Sequence, residues 1–174
     1  RFPDALFVVT WADGAGGTIR GAAFSADGSP ASDAFAVNGP AQPNLLRRRP
    51  VAASTGSGFV VCWLEAALNP PGPRPTVKLQ RFDSSARRLG PEIIVSSDDV
   101  DTTQAVSVCR LLDGGFVVAW MNSREDRRVL VQRFSFDGVP QGEPMLANEQ
   151  AGFHQRPLVS ALALDRFVVT WTDG

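Results

Sequence analysis

The chain has no tyrosine, one histidine, two cysteines and one lysine in 174 residues, and several of these scarcities close off a class of function. A zinc site with two histidine ligands cannot be built, and a Ser-His-Asp triad would have to use His154. Cys62 and Cys109 allow one disulfide at most; without a C-x-x-C pair, neither a zinc knuckle nor a thioredoxin-type centre is indicated. Many sugar sites use both a ring face and a hydroxyl tip, so the missing tyrosine removes one common tool. No apolar run approaches the roughly 20 residues that a membrane-spanning helix needs. Seventeen basic against 18 acidic residues give a net charge of −1, so no global field draws nucleic acid or anionic membrane. Glutamate is scarce too, and none forms an evident matched carboxylate pair of the kind glycosidases hold about 5–9.5 Å apart.

What is present is a chain able to bury a core, 44% hydrophobic and 20% charged. Apart from Lys78 its basic residues are arginine, and with abundant Ala, Gly and Pro this fits a high-GC bacterial genome. It opens on Arg1, almost inside an apolar strand, without initiator Met, signal peptide or lipidation motif, and is expected to be a piece of something longer. Thirteen prolines and 16 glycines leave few helical windows.

One pentapeptide occurs four times: Phe7-Val-Val-Thr-Trp11, Phe59-Val-Val-Cys-Trp63, Phe116-Val-Val-Ala-Trp120 and Phe167-Val-Val-Thr-Trp171. The Phe residues are spaced by 52, 57 and 51, and these sites hold all four tryptophans. Internal repetition with such a period marks a repeat architecture. A β-rich run precedes copies two to four: Pro50–Ser54, Ala105–Leu111 and Pro157–Leu164. Downstream lie Ile19–Phe24, Val77–Phe82 and Val129–Phe134, then the short runs Ala34–Asn38, Glu92–Ser96 and Pro144–Asn148. Asp27-Gly28, Asp113-Gly114 and Asp137-Gly138 read as hairpin turns, because Gly takes φ > 0 without steric cost. Asp83-Ser-Ser stands in that place in the second unit. Residues 101–112 could form a helix, but their second half occupies a strand phase.

Each unit therefore reads as four strands. In the pentapeptide strand Phe, the second Val and Trp share one face, and the first Val and a small residue share the other. Both faces are apolar or small, which predicts cover on both sides and a core role for the four Trp and their Phe partners. The expected fold is all-β, a propeller-like array of four-stranded antiparallel units. A single array over 1–174 divides into units 7–58, 59–115 and 116–166, with a closing or truncated strand at 167–174. Three units are too few for a ring of four to eight blades, which leaves three readings, further repeats in a longer array, a homo-oligomer that completes the ring, or an open stack, with the first two favoured.

The units resemble tandem repeats of very large bacterial secreted and cell-surface proteins, including RTX-like adhesins and calcium-binding exoproteins. The third unit carries the resemblance best, in Asp113-Gly-Gly-Phe-Val-Val-Ala-Trp120, Gln132-Arg-Phe-Ser-Phe-Asp-Gly138, Gly142-Glu143 and Gln155-Arg-Pro157. The first unit replaces Gln-Arg by Ala22-Ala23. The resemblance implies export to the cell surface or medium and a binding or scaffolding role, and it carries over no catalytic, cofactor or metal residue.

The remaining chemistry-bearing residues have plain explanations. His154 reads as a surface-loop residue, and Cys62 and Cys109 as two unpaired core thiols, although neighbouring sheets could bring them together. Asp98, Asp99 and Asp101 have a calcium-like spacing but lack the turn Gly and distal Glu of an EF-hand, so they read as a solvated loop. Asp27-Gly28 and Asp137-Gly138 lack the surroundings of sialidase-type Asp boxes. Arg47-Arg48-Arg49 and Arg124–Arg128 read as small basic patches, the second partly neutralised by Glu125 and Asp126. Leu64–Pro75 reads as a Pro-rich insertion, and its loop as a tolerated or partner-contacting surface. The function expected is a non-catalytic binding or adhesion module whose loops meet a glycan or protein, without cofactor, nucleic acid or membrane span. The competing readings are a passive spacer in a long surface protein, and a propeller glycosidase or lyase.

Overall fold

The structure, a computed structural model, describes residues 7–14, 17–69, 72–96, 100–123, 127–150, 152, 154–163 and 165–173. Thirteen strands form four antiparallel sheets. Sheet I holds β1 (Phe7–Asp13), β2 (Thr18–Phe24) and β3 (Phe35–Ala36). Sheet II holds β4 (Leu45–Ser54), β5 (Gly58–Ala67), β6 (Thr76–Asp83) and β7 (Ile93–Ser96). Sheet III holds β8 (Ser107–Arg110), β9 (Phe116–Met121), β10 (Val129–Phe134) and β11 (Met145–Leu146). Sheet IV pairs β12 (His154–Ala163) with β13 (Arg166–Asp173). Each pentapeptide is the second strand of its sheet plan, so a sheet straddles two units counted from pentapeptide to pentapeptide. The helix window resolves into a turn followed by β8.

The sheets stack face to face through three apolar layers, and the pentapeptide sets the direction of stacking. Its Phe, second Val and Trp form a leading face toward the preceding sheet, while its first Val and small residue form a trailing face toward the next. Phe59, Val61 and Trp63 pack on Ile19 and Val37 of sheet I and its following loop. Phe116, Val118 and Trp120 pack on Val60, Cys62 and Leu64. Phe167 and Val169 pack on Val117 and Ala119. The position that varies among Thr, Cys and Ala is small because a neighbouring sheet lies against it. Inter-sheet approach is concentrated in the inner strands, β1 to β4, β4 to β8 and β8 to β12, giving a propeller-like arrangement.

The repeated side chains outside the pentapeptide hold the loops. Gln80 donates through Nε2 to the carbonyls of Arg81 (3.1 Å) and Gly90 (3.1 Å), and Gln132 to those of Arg133 (2.9 Å) and Gly142 (3.1 Å). A buried Gln thus ties the third strand to the turn that leads into the fourth. Asn38 Oδ1 accepts from Ile19 N–H (2.5 Å), and Asn148 Oδ1 from Val129 N–H (2.8 Å), each extending the outer pairing by one step. In the second unit Ala86 fills the turn position of Gly28 and Gly138 at φ 54°, a conformation that a side chain makes about 1–2 kcal/mol less favourable.

Two packing expectations need correction. Trp63 and Trp120 are fully buried core residues, but Trp11 and Trp171 are only partly buried, and Phe7 is 46% exposed. Among the described residues sheet I has no neighbour on its leading face, and β13 is the edge strand of a two-stranded sheet IV, so equal sequence does not mean equal cover. The insertion at Leu64–Pro75 is also shorter than its sequence implies. Leu64–Ala67 prolong β5, and Leu64, Glu65 and Ala66 are buried.

Candidate functional site

The strand order brings the ends of β1, β5, β9 and β13 to one end of the stack, together with Asn148–Gln150 after β11. Charged and polar side chains recur there, two residues beyond each pentapeptide Trp: Asp13, Glu65, Asn122 and Asp173. Because two steps along a strand return to the same face, all four project on the leading side.

In sheet II this position builds a buried ionic network. Glu65 lies opposite Arg47 and receives Arg47 Nε on Oε2 at 2.6 Å and Lys78 Nζ on Oε1 at 2.7 Å. Lys78 also reaches Glu92 Oε2 (3.2 Å), whose Oε1 accepts from Gly39 N–H (2.6 Å), and Arg47 donates to the Gly17 carbonyl (3.0 Å). Burial pulls the Lys78 ammonium down, but Glu65 and Glu92 together outweigh it and hold the group above its ordinary value. This network fastens sheet I to sheet II; its charges are consumed internally.

In sheet IV the same position builds an open cleft. His154 pairs with Asp173 in the register of β12 and β13, as Arg47 pairs with Glu65. The ring is 7% exposed, with Nδ1 2.5 Å from Asp173 Oδ1 and Nε2 2.9 Å from the Gln150 carbonyl. The imidazole and the Trp171 indole stand 80° apart in plane, 6.0 Å between centroids. Asn148, Glu149, Gln150, His154, Trp171 and Asp173 enclose about 270 Å³. The rim is preorganised: Asn148 Nδ2 donates to Gln150 O (2.6 Å), and Arg128 donates to Asn148 O (3.1 Å) and Glu149 O (2.6 Å). Glu149 and Asp173 therefore line one cleft beside an indole.

Several sequence expectations change here. His154 is a strand residue buried in the wall of the cleft, not a surface-loop residue, because its side chain points back toward sheet III. The three arginines at 47–49 do not form a basic patch. Strand alternation buries Arg47 in the ionic network, turns Arg48 to Thr102 Oγ1 (2.9 Å), and leaves Arg49 exposed at a bulge. Of the second arginine cluster, Arg124 lies outside the described residues with Glu125 and Asp126, while Arg128 braces the cleft loop. Cys62 lies in the layer between sheets II and III and Cys109 in that between III and IV, so sheet III separates them and both are free thiols. Burial pushes both thiols up, Cys62 furthest. Asp101 Oδ1 accepts from Thr103 N–H (2.8 Å) and Oγ1 (2.6 Å), an Asx turn; Asp98 and Asp99 lie outside the described residues. Among the described residues no cluster of three or more His, Cys, Asp or Glu could hold a metal ion.

The sequence signal that would have found the cleft is the Trp-plus-two position. It carries an acid in units one, two and four, and a basic residue faces it across the sheet in the second and fourth.

No protein-family model matches the chain, and no curated protein matches it in sequence. Solved structures do match in shape. One is the Hadza microbial sialidase Hz136, with a TM-score of 0.60 and 11% identity, covering 90% of this chain and 36% of that one. Another is an N-acetylgalactosamine deacetylase from F. plautii in complex with blood group B trisaccharide, with a TM-score of 0.53 and 13% identity, covering 96% and 62%. At these identities the likeness is one of fold, and the chain spans about a third of the sialidase and under two thirds of the deacetylase.

Proposed function

We propose that the chain is a glycan-binding repeat module of an exported bacterial protein, taking the terminal sugar of a glycan into the cleft of sheet IV. The observation that carries the reading is the convergence of one partly exposed indole with carboxylate, carboxamide and imidazole groups on a braced rim. A sugar ring presents an apolar face to an aromatic surface and hydroxyls to hydrogen-bonding groups around it, and Trp171 with Glu149, Gln150 and Asp173 offers both. A volume of about 270 Å³ lies just below the usual range of about 300–1,000 Å³ for small-molecule sites, which suits one ring rather than an oligosaccharide. Two neighbours in fold are a sialidase and a deacetylase in complex with a trisaccharide, and the repeat signature supports a place at the cell surface.

A thermal-shift screen with sialyllactose, N-acetylgalactosamine and blood group B trisaccharide tests the reading. A ligand at 100 times its Kd stabilises by about 2.7 kcal/mol, and Trp171→Ala should abolish the shift. No shift with any glycan, or a shift that survives Trp171→Ala, contradicts the proposal. A second reading, glycoside hydrolysis, is favoured by Glu149 and Asp173 lining one cleft. Release of a chromogenic leaving group, lost in both Glu149→Gln and Asp173→Asn, would establish it.

A further inference from the structure

Of the five asparagines in the chain, only Asn38 is followed by glycine. At an Asn-Gly bond the backbone nitrogen can reach the preceding carboxamide carbon with no side chain in the way. The backbone does not call for glycine here. Gly39 lies outside the left-handed region, and a Cβ built on it would meet nothing nearer than Glu92 Oε1, at 3.4 Å. The same asparagine recurs in the third unit as Asn148, with the same bond from the start of the third strand, but there Glu149 follows it. The second unit has Ser96 in this place, which carries no carboxamide.

In the first unit the reacting groups are held on every side. Asn38 is 2% exposed. Its Oδ1 accepts from Ile19 N–H (2.5 Å), and its Nδ2 donates to the carbonyls of Gly39 (2.8 Å) and Gly17 (3.4 Å). The Gly39 N–H is given to Glu92 Oε1 at 2.6 Å. Glu92 belongs to the buried network that runs through Lys78 and Glu65 to Arg47, and Arg47 returns to the same Gly17 carbonyl as Asn38. The contacts that fasten sheet I to sheet II therefore close a ring around the Asn38–Gly39 bond.

We propose that Asn38-Gly39 is a latent deamidation site held shut by Glu92, and that opening of the layer between sheets I and II releases it. The Gly39 nitrogen attacks Asn38 Cγ; a C–N bond forms and the Cγ–Nδ2 bond breaks. Ammonia leaves, carrying off the proton that the Gly39 nitrogen gives up. Water then opens the cyclic imide at either carbonyl, giving aspartate or isoaspartate. Glu92 opposes the first step twice. It occupies the N–H that must be surrendered to hydroxide, and its charge disfavours an amide anion beside it. The product does not reseal the layer, because a carboxylate at position 38 loses both carboxamide donors and faces the Gly17 and Gly39 carbonyls. The step is one-way, so it records opening of the layer. It concerns sheets I and II and does not depend on glycan binding.

Incubation of the whole chain at mildly alkaline pH, with and without denaturing urea, tests it by mass spectrometry of the tryptic peptide 21–47. Fragment ions separate Asn38 from Asn44 within that peptide. Conversion at Asn38 should be fast in urea and slow in the folded wild type. Glu92→Ala, checked for folding by far-UV circular dichroism, should convert about 10- to 100-fold faster than wild type, the factor that one charge-assisted hydrogen bond is worth. Glu92→Asp, which keeps the charge but shortens the reach, serves if that variant unfolds and should also convert faster. Asn38→Asp, the product made directly, should lower the urea midpoint. Equal rates in folded and unfolded wild type, no conversion in urea, a folded Glu92 variant no faster than wild type, or an unmoved midpoint in Asn38→Asp overturns the proposal.

Discussion

Phe116 and Phe7 occupy the same place in the same pentapeptide and stack on equivalent partners, yet the structure assigns them different worth. Phe116 is 0% exposed between sheets II and III, so truncation to Ala loses the full transfer energy and leaves a cavity that packed strands cannot close. The cost is about 3–5 kcal/mol. Phe7 is 46% exposed on the open face of sheet I, so about half of a full burial of roughly 1.5–3 kcal/mol is at stake, and no closed cavity forms. With the loss of its stacking on Phe24, about 0.5–1.5 kcal/mol, Phe7→Ala should cost about 1–3 kcal/mol. Urea unfolding followed by tryptophan fluorescence reads the difference as a shift in midpoint at constant slope. Equal costs at the two sites would refute directional stacking. A cost at Phe116 below that at Phe7 would reverse it.

Glu65→Ala strips the carboxylate from the buried Arg47 guanidinium, leaving its bond to the Gly17 carbonyl, and should destabilise by about 3–5 kcal/mol, as breaking a buried pair does, read by the same urea midpoint. Lys78, held above its ordinary value, adds stability below the unfolded-state value near 10.5 that fades as pH rises through the folded-state value; an alkaline titration of the midpoint should show it, and Glu65→Gln should shrink it. Gly138→Ala would place Cβ 2.5 Å from Ile93 Cδ1 at φ 79°, whereas Gly28→Ala at φ 84° meets nothing within 4 Å. Both lose the left-handed allowance of about 1 kcal/mol, and only Gly138→Ala should lose clearly more in thermal melts. Asp27, Asp83 and Asp113 are held below the ordinary carboxylate value, chiefly by backbone N–H donors at their turns. Their contribution is complete above about pH 4 and is lost as pH falls through the lowered folded-state values, so the urea midpoint should stay level toward pH 5 and drop below pH 4.

The fold was legible because repetition removes ambiguity. One Phe-Val-Val-x-Trp run is a buried strand or a fragment of helix; four of them, the first three followed by an apolar run and a Gly or Asp turn, fix strand phase and all-β class. The small fourth position announced close sheet stacking, and β5 and β9 carry it on both faces. The cleft was not legible in that way. His154 and Asp173 meet through hairpin register, offset by a bulge at Arg156-Pro157 that has its counterpart at Arg49-Pro50 in sheet II, and an Arg-Pro pair by itself does not say which side chains then face each other. The arginine run at 47–49 misled because adjacency in a strand means opposite faces. Exposure of Phe7 and Val168 depends on which sheets have neighbours, a property of the assembly rather than of the pentapeptide.

The four tryptophans give four indole N–H signals in a ¹⁵N correlation spectrum, one for each pentapeptide. Titrating ¹⁵N-labelled protein with N-acetylgalactosamine, then with sialyllactose, reports directly whether a sugar enters the cleft of sheet IV. One of the two sugars should move the Trp171 indole signal in a saturable way, leave those of buried Trp63 and Trp120 in place, and have no effect on Trp171 once Asp173 is changed to Asn. Four unmoved signals with both sugars, or movement confined to tryptophans other than Trp171, would contradict the assignment of the cleft as a sugar site.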